Sequence, residues 1–239
     1  YLYEPGIKIP MIAWGKGIKQ SVVTDLVSTV DISATVLNLA EAEMPDYLSG
    51  KPLFNQTTGA PNQGYDTFYA ARDNWDEIID CMRSISTDRY KYIRNYMPEK
   101  GWDEHQQYLE FHRPAIHVLR ELKKNGKLNN TQLQFMEDHK PEEELYDLRN
   151  DPHETRNLAL LPQYQNILKD MRFRMDSWQK NNNDIGLKDL NDRVPEDMGD
   201  VKNYVMNKYP DEWKKLTEGE ICDSYKKYSS EAKKNKKKK

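Results

Sequence analysis

The stretch from Met82 to Tyr96, MRSISTDRYKYIRNY, places the strongest constraint on the fold of this chain. It is rich in β-branched and aromatic residues, which favour strands, and the dipeptide Thr87-Asp88 lies where a tight turn is expected. We therefore predict two antiparallel strands, at about 82–87 and 89–96. Because side chains alternate along a strand, the tyrosines of the second strand share one face with Arg94.

A strand pair alone is marginal in water, so this hairpin needs further strands and a covering helix. The segments FYAARDN and ELYDL predict those strands, at about 68–73 and 144–148. Apolar residues at helical spacing predict the covering helix, at about 162–181. They are Tyr164, Leu168, Met171, Met175 and Trp178. The residues thus predict a small α+β subdomain in which a helix covers a four-stranded antiparallel sheet.

The N-terminal part of the chain predicts elements of another kind. Residues 7–14 predict a strand. Pro10 restricts the first half of this strand to the edge of a sheet or to the segment that leads into it. Ser28 is the predicted N-cap of a helix that runs to Ala40 and carries Asp31 near its positive end. A single strand and helix cannot bury both of their apolar faces, so we expect residues 1–42 to pack at the edge of a larger α/β domain.

The connecting segments carry turn and capping signals. Residues 45–66 are rich in Pro, Gly, Asn, Gln and Thr, which predicts a long surface loop and a domain boundary. Short helices are predicted at about 103–113, 114–124 and 131–139, with Gly126 closing the second. The series Asp151, Pro152 and Glu154 resembles a capping box and predicts a helix start.

Composition excludes some classes of function. Of the 239 residues, 37% are hydrophobic and 31% are charged, so the cores should be thin. A net charge of −3 gives no electrostatic case for binding nucleic acid. No apolar run reaches the length of a membrane span. The lysine-rich residues 233–239 predict a solvated, disordered tail. Cys81 and Cys222 imply no disulfide framework.

Motifs that carry chemistry are few. The patterns HExxH, CxxC and GxSxG are all missing, as is a glycine loop of the kind that binds phosphate. His105, His112 and His117 lie in a predicted helical region, but neighbours among them lack the one-turn spacing of a metal-binding pair. We therefore predict solvent-facing or hydrogen-bonded histidines there and no metal site.

The segment from Arg72 to Asp80, RDNWDEIID, is the one unusual group of charged residues. It places an arginine and four acids between two predicted strands. One interpretation is an ordinary charged loop. The other is a ligand-binding loop on a rigid sheet, in which Arg72 pairs with an anionic group while Asp73 and Asp76 accept hydrogen bonds from hydroxyl groups.

Four segments occur in an order typical of one enzyme family. They are YEPGIKIPMI, VSTVDISATVLNLA, AARDNWDEIIDCMRSISTDRYKYIRNYMP and EELYDLRNDPHETRNLA. In this order they resemble the C-terminal half of type I sulfatases, which are formylglycine-dependent enzymes of the alkaline phosphatase superfamily. The resemblance runs from Tyr1 to about Trp178. It is strongest to the arylsulfatase-like group that includes N-sulfoglucosamine sulfohydrolase and bacterial polysaccharide sulfatases.

The resemblance implies that catalytic residues and metal ligands lie upstream of Tyr1. In the family, the formylglycine nucleophile forms in a CxPSR-type motif near the N-terminus, and aspartate-rich pairs bind Ca²⁺. Neither Cys81 nor Cys222 lies in such a motif. We therefore expect Ca²⁺ and formylglycine in a complete enzyme, with no ligands in this segment, and this segment alone is expected to be inactive.

The resemblance also implies a domain layout. Residues 1–44 would be the last strand and helix of a large catalytic α/β domain, and residues 45–66 a linker. Residues 67–182 would form the C-terminal α+β subdomain, and residues 183–239 a polar extension. In many relatives the loop matching 72–80 shapes the sulfate pocket for its sugar.

The implied function is hydrolysis of a sulfate ester or N-sulfate on a sulfated saccharide, with Arg72, Asp73 and Asp76 binding the substrate. A periplasmic, secreted or lysosomal location follows from the resemblance alone. Two alternatives stay open: a phosphatase or phosphodiesterase of the same superfamily, and a non-catalytic module that binds sugars or another protein. The sequence preceding Tyr1 would discriminate among them.

Overall fold

The computed structural model describes residues 1–75, 78–104, 115–188, 207–208 and 210–211. Several predictions fall outside these residues. They concern Asp76, His105, His112, Cys222, the helix at 103–113 and the lysine-rich tail. Contacts divide the chain into two units. The first holds residues 1–71, 83–94 and 143–182, and the second holds the described residues within 72–82, 95–142 and 183–239.

The predicted four-stranded sheet is present, in the order β1-β2-β3-β4. Its strands are β1 (Phe68–Arg72), β2 (Met82–Ser86), β3 (Tyr90–Asn95) and β4 (Glu143–Asp147). The β3 and β4 strands are antiparallel, with Tyr92 opposite Leu145. The turn between β2 and β3 is closed by the amide of Thr87, which donates to the carbonyl of Tyr90 at 2.8 Å. The hairpin prediction is confirmed.

The helices in the described part of the chain are α1 (Glu4–Ile7), α2 (Asp31–Leu39), α3 (Ala115–Lys124), α4 (Asn130–Phe135) and α5 (Gln165–Asn181). Short 3₁₀ turns lie at Pro162–Tyr164 and Ile185–Leu187. None of these described helices has the length and apolar content that crossing a membrane requires.

Helix α5 covers one face of the sheet, as its apolar stripe predicts. Leu168, Met171 and Met175 are buried and form one hydrophobic core with residues from the strands. The strand residues in that core are Ile85, Tyr92 and Leu145. At the edge of the core, the rings of Tyr69 and Trp178 stack with their centroids 4.9 Å apart. Packing of a helix stripe on a sheet face is the main source of stability in such a layer.

The predicted start of the covering helix at about 162 is confirmed, but the helix start predicted from the capping-box-like series at Asp151 is wrong. Residues 151–161 are irregular, and the helical segment begins with the 3₁₀ turn at Pro162. Glu154 caps no helix, and it has a positive φ of 53°. Its carboxylate is buried and lies 2.9 Å from the ammonium group of Lys91. The long-range ion pair with a buried lysine therefore determines the position of Glu154, and local capping does not.

Lys91 lies on the sheet face opposite to the tyrosines and joins the N-terminal segment to the sheet. Its ammonium group lies 2.7 Å from the carboxylate of Glu4 and donates to the carbonyl of Leu2 at 3.2 Å. The amide of Glu4 donates to Glu154 at 2.5 Å. We call Glu4, Lys91 and Glu154 the buried ion triad. It fixes α1 against β3.

The strand predicted at 7–14 is also wrong. Helix α1 occupies Glu4–Ile7, and residues 8–15 have no strand structure. Ile12 and Trp14 are almost fully exposed. A strand needs a neighbouring strand for its backbone hydrogen bonds, and nothing in the described part of the chain offers one here. Pro10 also lacks a backbone donor.

Helix α2 confirms the predicted helix but not its predicted cap. Val30 is the N-cap, and the side chain of Ser28 makes no capping hydrogen bond. The buried carboxylate of Asp31 instead accepts the amides of Ser28 and Lys51 at 2.8 and 3.0 Å and the hydroxyl of Tyr65 at 2.6 Å. Burial, with the hydrogen bond to Asp31, raises the pKa of Tyr65 to about 12. Asp31 thereby ties the loop at 45–66 to α2.

In the second unit, α3 ends at Lys124, and Gly126 follows with a φ of 62°, as predicted. Helix α4 is shorter than the predicted 131–139. Asn129 and Gln132 form a capping box at its start. At its end, the carbonyl of Met136 accepts a hydrogen bond from Lys123 at 2.6 Å, which satisfies a group that a longer helix would use.

Candidate functional site

The candidate site begins where β1 ends. Arg72 is the last residue of β1, and Trp75 and Ile78 then lie opposite each other in an isolated antiparallel bridge. Trp75 and Ile78 exchange two backbone hydrogen bonds, of 2.8 Å and 2.9 Å. Ile78 is buried, so the returning strand of the turn is anchored in the second unit. The backbone on both sides of the turn is therefore held in a defined position.

A buried carboxylate lies at the centre of this loop. The Oδ2 atom of Asp80 accepts a hydrogen bond from Nε of Arg72 at 3.1 Å. Its Oδ1 atom accepts one from Nζ of Lys140 at 3.0 Å. The side chains of Arg72, Asp80 and Lys140 are 9%, 2% and 0% exposed. We call these three residues the charge cluster. The two cations share one carboxylate, and these charge-assisted hydrogen bonds hold the three side chains in fixed positions.

A second layer of charges surrounds this cluster. Lys100 donates to the carbonyl of Ile79 at 2.6 Å and lies 3.9 Å from the carboxylate of Glu104. Burial raises the pKa of Glu104, and the negative charge of Asp80 acts in the same direction, while Lys100 opposes it. The pKa shift of Glu104 therefore reflects a partly desolvated environment of mixed charges. Such environments are frequent at functional sites, although structural ion pairs also produce them.

The predicted site residues have different positions. Arg72 lies in the charge cluster, Asp73 is half-buried beside it, and Asp76 lies outside the described residues. The substrate-binding role of all three stays a prediction. Sequence reasoning missed the pairing of Arg72 with Asp80 and the pairing of Asp80 with Lys140. An acid placed where the chain returns toward the end of β1 is a signal that could have indicated Asp80, whereas no local signal indicates Lys140.

Trp75 is the other residue that the loop presents. Its side chain is 51% exposed, and the guanidinium group of Arg72 lies over its ring, 5.7 Å from the centroid. A cation over an aromatic face at this distance is attracted by the ring quadrupole. The loop therefore combines an exposed indole with a buried, ordered arginine.

Comparisons with known proteins cover this region. The family described as N-sulphoglucosamine sulphohydrolase, C-terminal, matches residues 1–108. An ulvan-active sulfatase of Formosa agariphila is 37% identical over 179 residues, which are 74% of this chain and 29% of that protein. A second ulvan-active sulfatase of the same organism is 30% identical over 75% of this chain and 34% of its own length. These matches support a C-terminal sulfatase fragment.

Two further comparisons have lower coverage or lower identity. Arylsulfatase K of Mus musculus is 32% identical over 100 residues, covering 38% of this chain and 18% of that protein. The solved structure of a 2-O GAG sulfatase aligns with a TM-score of 0.48 and 22% identity, covering 72% of this chain and 29% of that one. This sulfatase segment spans about three tenths of the length of the two ulvan-active relatives.

The described residues do not fit a calcium site of the sulfatase type. No group of three or more His, Cys, Asp or Glu side chains in this part of the chain is arranged to hold a metal ion. Cys81 is buried, and its sulfur lies 3.7 Å from the carbonyl oxygen of Gly186. The chemical groups that the described part of the loop at 72–80 offers are a guanidinium group, carboxylates and an exposed indole.

Proposed function

We propose that the chain is the C-terminal part of a sulfatase that hydrolyses sulfate esters, or an N-sulfate, of a sulfated saccharide. Its loop at 72–80 shapes the saccharide pocket. The observation that carries this proposal is the position of Arg72. It lies within the segment that the family description matches, and a buried carboxylate shared with Lys140 holds it at the end of a strand.

The proposed substrate is a sulfated polysaccharide of the kind that the ulvan-active relatives are named for. Arg72 would contribute positive charge toward a carboxylate or a second sulfate on the sugar. Asp73 and Asp76 would accept hydrogen bonds from ring hydroxyls. Carboxylates and guanidinium groups provide the charge-assisted hydrogen bonds that such recognition needs.

The chemistry of S–O cleavage would then belong to the preceding part of the protein. By resemblance, formylglycine would supply the nucleophile there and Ca²⁺ would stabilise the charge of the sulfate. The described residues offer no ligand set for the metal, so their contribution is substrate positioning. A periplasmic, secreted or lysosomal location, where sulfated polysaccharides are degraded, is part of the same proposal.

The test uses the full-length protein with Arg72→Ala, assayed on a sulfated oligosaccharide and on a small aryl sulfate. Loss of a charge-assisted contact costs about 1.5–3 kcal/mol, so we expect kcat/KM on the saccharide to fall roughly ten- to hundredfold. The aryl sulfate should be affected much less, because it lacks the distal groups that Arg72 would bind.

Two controls separate binding from folding. Lys123→Ala removes an ion pair with the exposed carboxylate of Asp138 in the same unit and should leave both substrates unaffected. Asp80→Asn keeps the arginine but removes the negative charge that holds it in position. We therefore expect kcat/KM to fall more on the saccharide than on the aryl sulfate. Equal losses on both substrates for Arg72→Ala would indicate a structural role, and no loss on either would make the loop an ordinary charged turn.

A further inference from the structure

Trp75 is an aromatic residue that the proposed sulfatase function does not use. It is half-exposed although it belongs to a short, hydrogen-bonded turn directly after β1. Large exposed aromatic side chains are common singly on protein surfaces and need no function on that ground alone. The surroundings of Trp75 give the stronger argument.

Three features fix the indole in place. The backbone of Trp75 exchanges two hydrogen bonds with Ile78, whose side chain is buried. The guanidinium group of Arg72 lies over the ring, 5.7 Å from the centroid. Arg72 is itself held by Asp80, which Lys140 binds from the other side. A preorganised aromatic group loses little conformational entropy on binding, which is what a binding platform requires.

The chemistry of the exposed surface matches a charged sugar. The faces of an aromatic ring carry partial negative charge, and they attract groups with partial positive charge at their edges. The C–H groups on one face of a pyranose ring have that polarity, so a pyranose can stack on an indole. Beside the ring, Arg72 supplies a guanidinium group, which pairs with carboxylate and sulfate groups and so suits an anionic substituent on the same sugar.

We propose that Trp75 is a specificity-determining residue that stacks against a pyranose ring bearing a sulfate or carboxylate group. This inference rests on the proposed function, because it places the saccharide of a sulfatase on the loop at 72–80. It adds a sugar ring recognised through its apolar face, in addition to the anionic and hydroxyl groups assigned to Arg72 and Asp73.

The experiment measures binding and turnover separately in the full-length protein. Calorimetry gives the affinity for oligosaccharides of ulvan and of a glycosaminoglycan, and an assay of sulfate release gives kcat and KM. For Trp75→Ala we expect a roughly three- to tenfold weaker affinity for the sugar that the parent protein binds best. The KM should rise with little change in kcat, and Trp75→Phe should recover part of the affinity.

The matched control is Phe173→Ala, because Phe173 is an aromatic residue of α5 that is 70% exposed and makes no part of the loop. It should bind every saccharide like the parent. If Trp75→Ala binds like the parent while sulfate release proceeds normally, stacking is refuted and the sulfatase proposal stands. If the parent releases no sulfate but loses affinity with Trp75→Ala, the sulfatase proposal fails and the stacking site stands. A parent protein that binds none of these saccharides would overturn the inference.

Discussion

Lys91 is the residue whose environment is hardest to reconcile with its chemistry. Its side chain is fully buried, and its charge is compensated by the carboxylates of Glu4 and Glu154 and by the carbonyl of Leu2. Burial raises the pKa of Glu154, while the charge of Lys91 acts against that shift. Buried ions are costly unless paired, so each member of the triad depends on the others.

We expect Lys91→Met to lower the free energy of unfolding by about 3–5 kcal/mol, because the buried carboxylate of Glu154 and the partly buried carboxylate of Glu4 would lose their shared cation. Urea denaturation at neutral pH measures this loss. Adding Glu154→Gln to Lys91→Met should restore at least about 1 kcal/mol, since one uncompensated charge is then removed. Lys169→Met changes an exposed lysine of α5 and should be neutral. A loss no larger than that of Lys169→Met would contradict the account of the triad.

The triad also shows where sequence reasoning stops at the residue scale. Alternation along β3 correctly placed Lys91 and the tyrosines on opposite faces. The pairing of Lys91 with Glu4 and Glu154 joins three distant segments, and no local pattern specifies it. The same limit applies to Asp80 and Lys140 at the candidate site. Local capping rules gave a wrong helix start at Asp151, because Glu154 lies at a spacing that fits a capping box.

At the scale of elements, a polar clamp joins β4 to α5 beside the hydrophobic core. The carboxylate of Glu143 accepts two hydrogen bonds from Arg172, at 2.8 and 2.6 Å, and one from the hydroxyl of Tyr92 at 2.5 Å. The hydrogen bonds from Arg172, with that from Tyr92, lower the pKa of Glu143. A bidentate pair of this kind fixes orientation as well as contributing energy.

The lowered pKa fixes the sign of a pH effect. A carboxyl group whose pKa is lower in the folded state contributes stability above its unfolded pKa of about 4.3, and that contribution disappears as the pH falls through the folded value. We expect Glu143→Gln to lower the free energy of unfolding by about 1 kcal/mol at pH 7, a value reduced for the partial exposure of the pair. The difference from the parent should shrink as the pH falls from about 5 to 3.

Urea denaturation at several pH values measures this difference. Asp170→Asn provides the control, because its ion pair with Arg174 is exposed and lies within one helix. It should change stability little at any pH. If the deficit of Glu143→Gln stayed constant down to pH 3, the clamp would not depend on the charge of Glu143.

Elements were predictable where their own residues carry the signal. The hairpin, the ELYDL strand and the helix with the Leu168–Met175 stripe follow from periodicity, because each buries one face within this chain. The strand expected at 7–14 has the composition of a strand but no neighbouring strand in the described residues. A strand is a property of a sheet, so composition alone could not settle its structure.

At the scale of the whole molecule, exposed apolar side chains are concentrated at one end of the chain. Of the eighteen exposed large apolar residues in the described part, twelve lie within the first 47 residues. Ile32, Val36 and Leu39 lie along one face of α2 and are 47%, 60% and 48% exposed. Soluble proteins rarely leave such surfaces uncovered without an interaction. We propose that the preceding part of a longer sulfatase covers this face, since the chain spans about three tenths of its relatives.

We expect Val36→Lys to have opposite consequences in two forms of the protein. In the 239-residue chain the change places a charge in water, so stability should hold and self-association, measured by analytical ultracentrifugation, should decrease or stay absent. In the full-length protein the same lysine would be buried, and the melting temperature and activity should fall. Phe173 lies on α5 and is 70% exposed, so Phe173→Lys should be tolerated in both forms of the protein. Equal tolerance of Val36→Lys in the full-length protein would show that the α2 face faces solvent there too, and would remove the reason to place residues 1–44 at the edge of a larger domain.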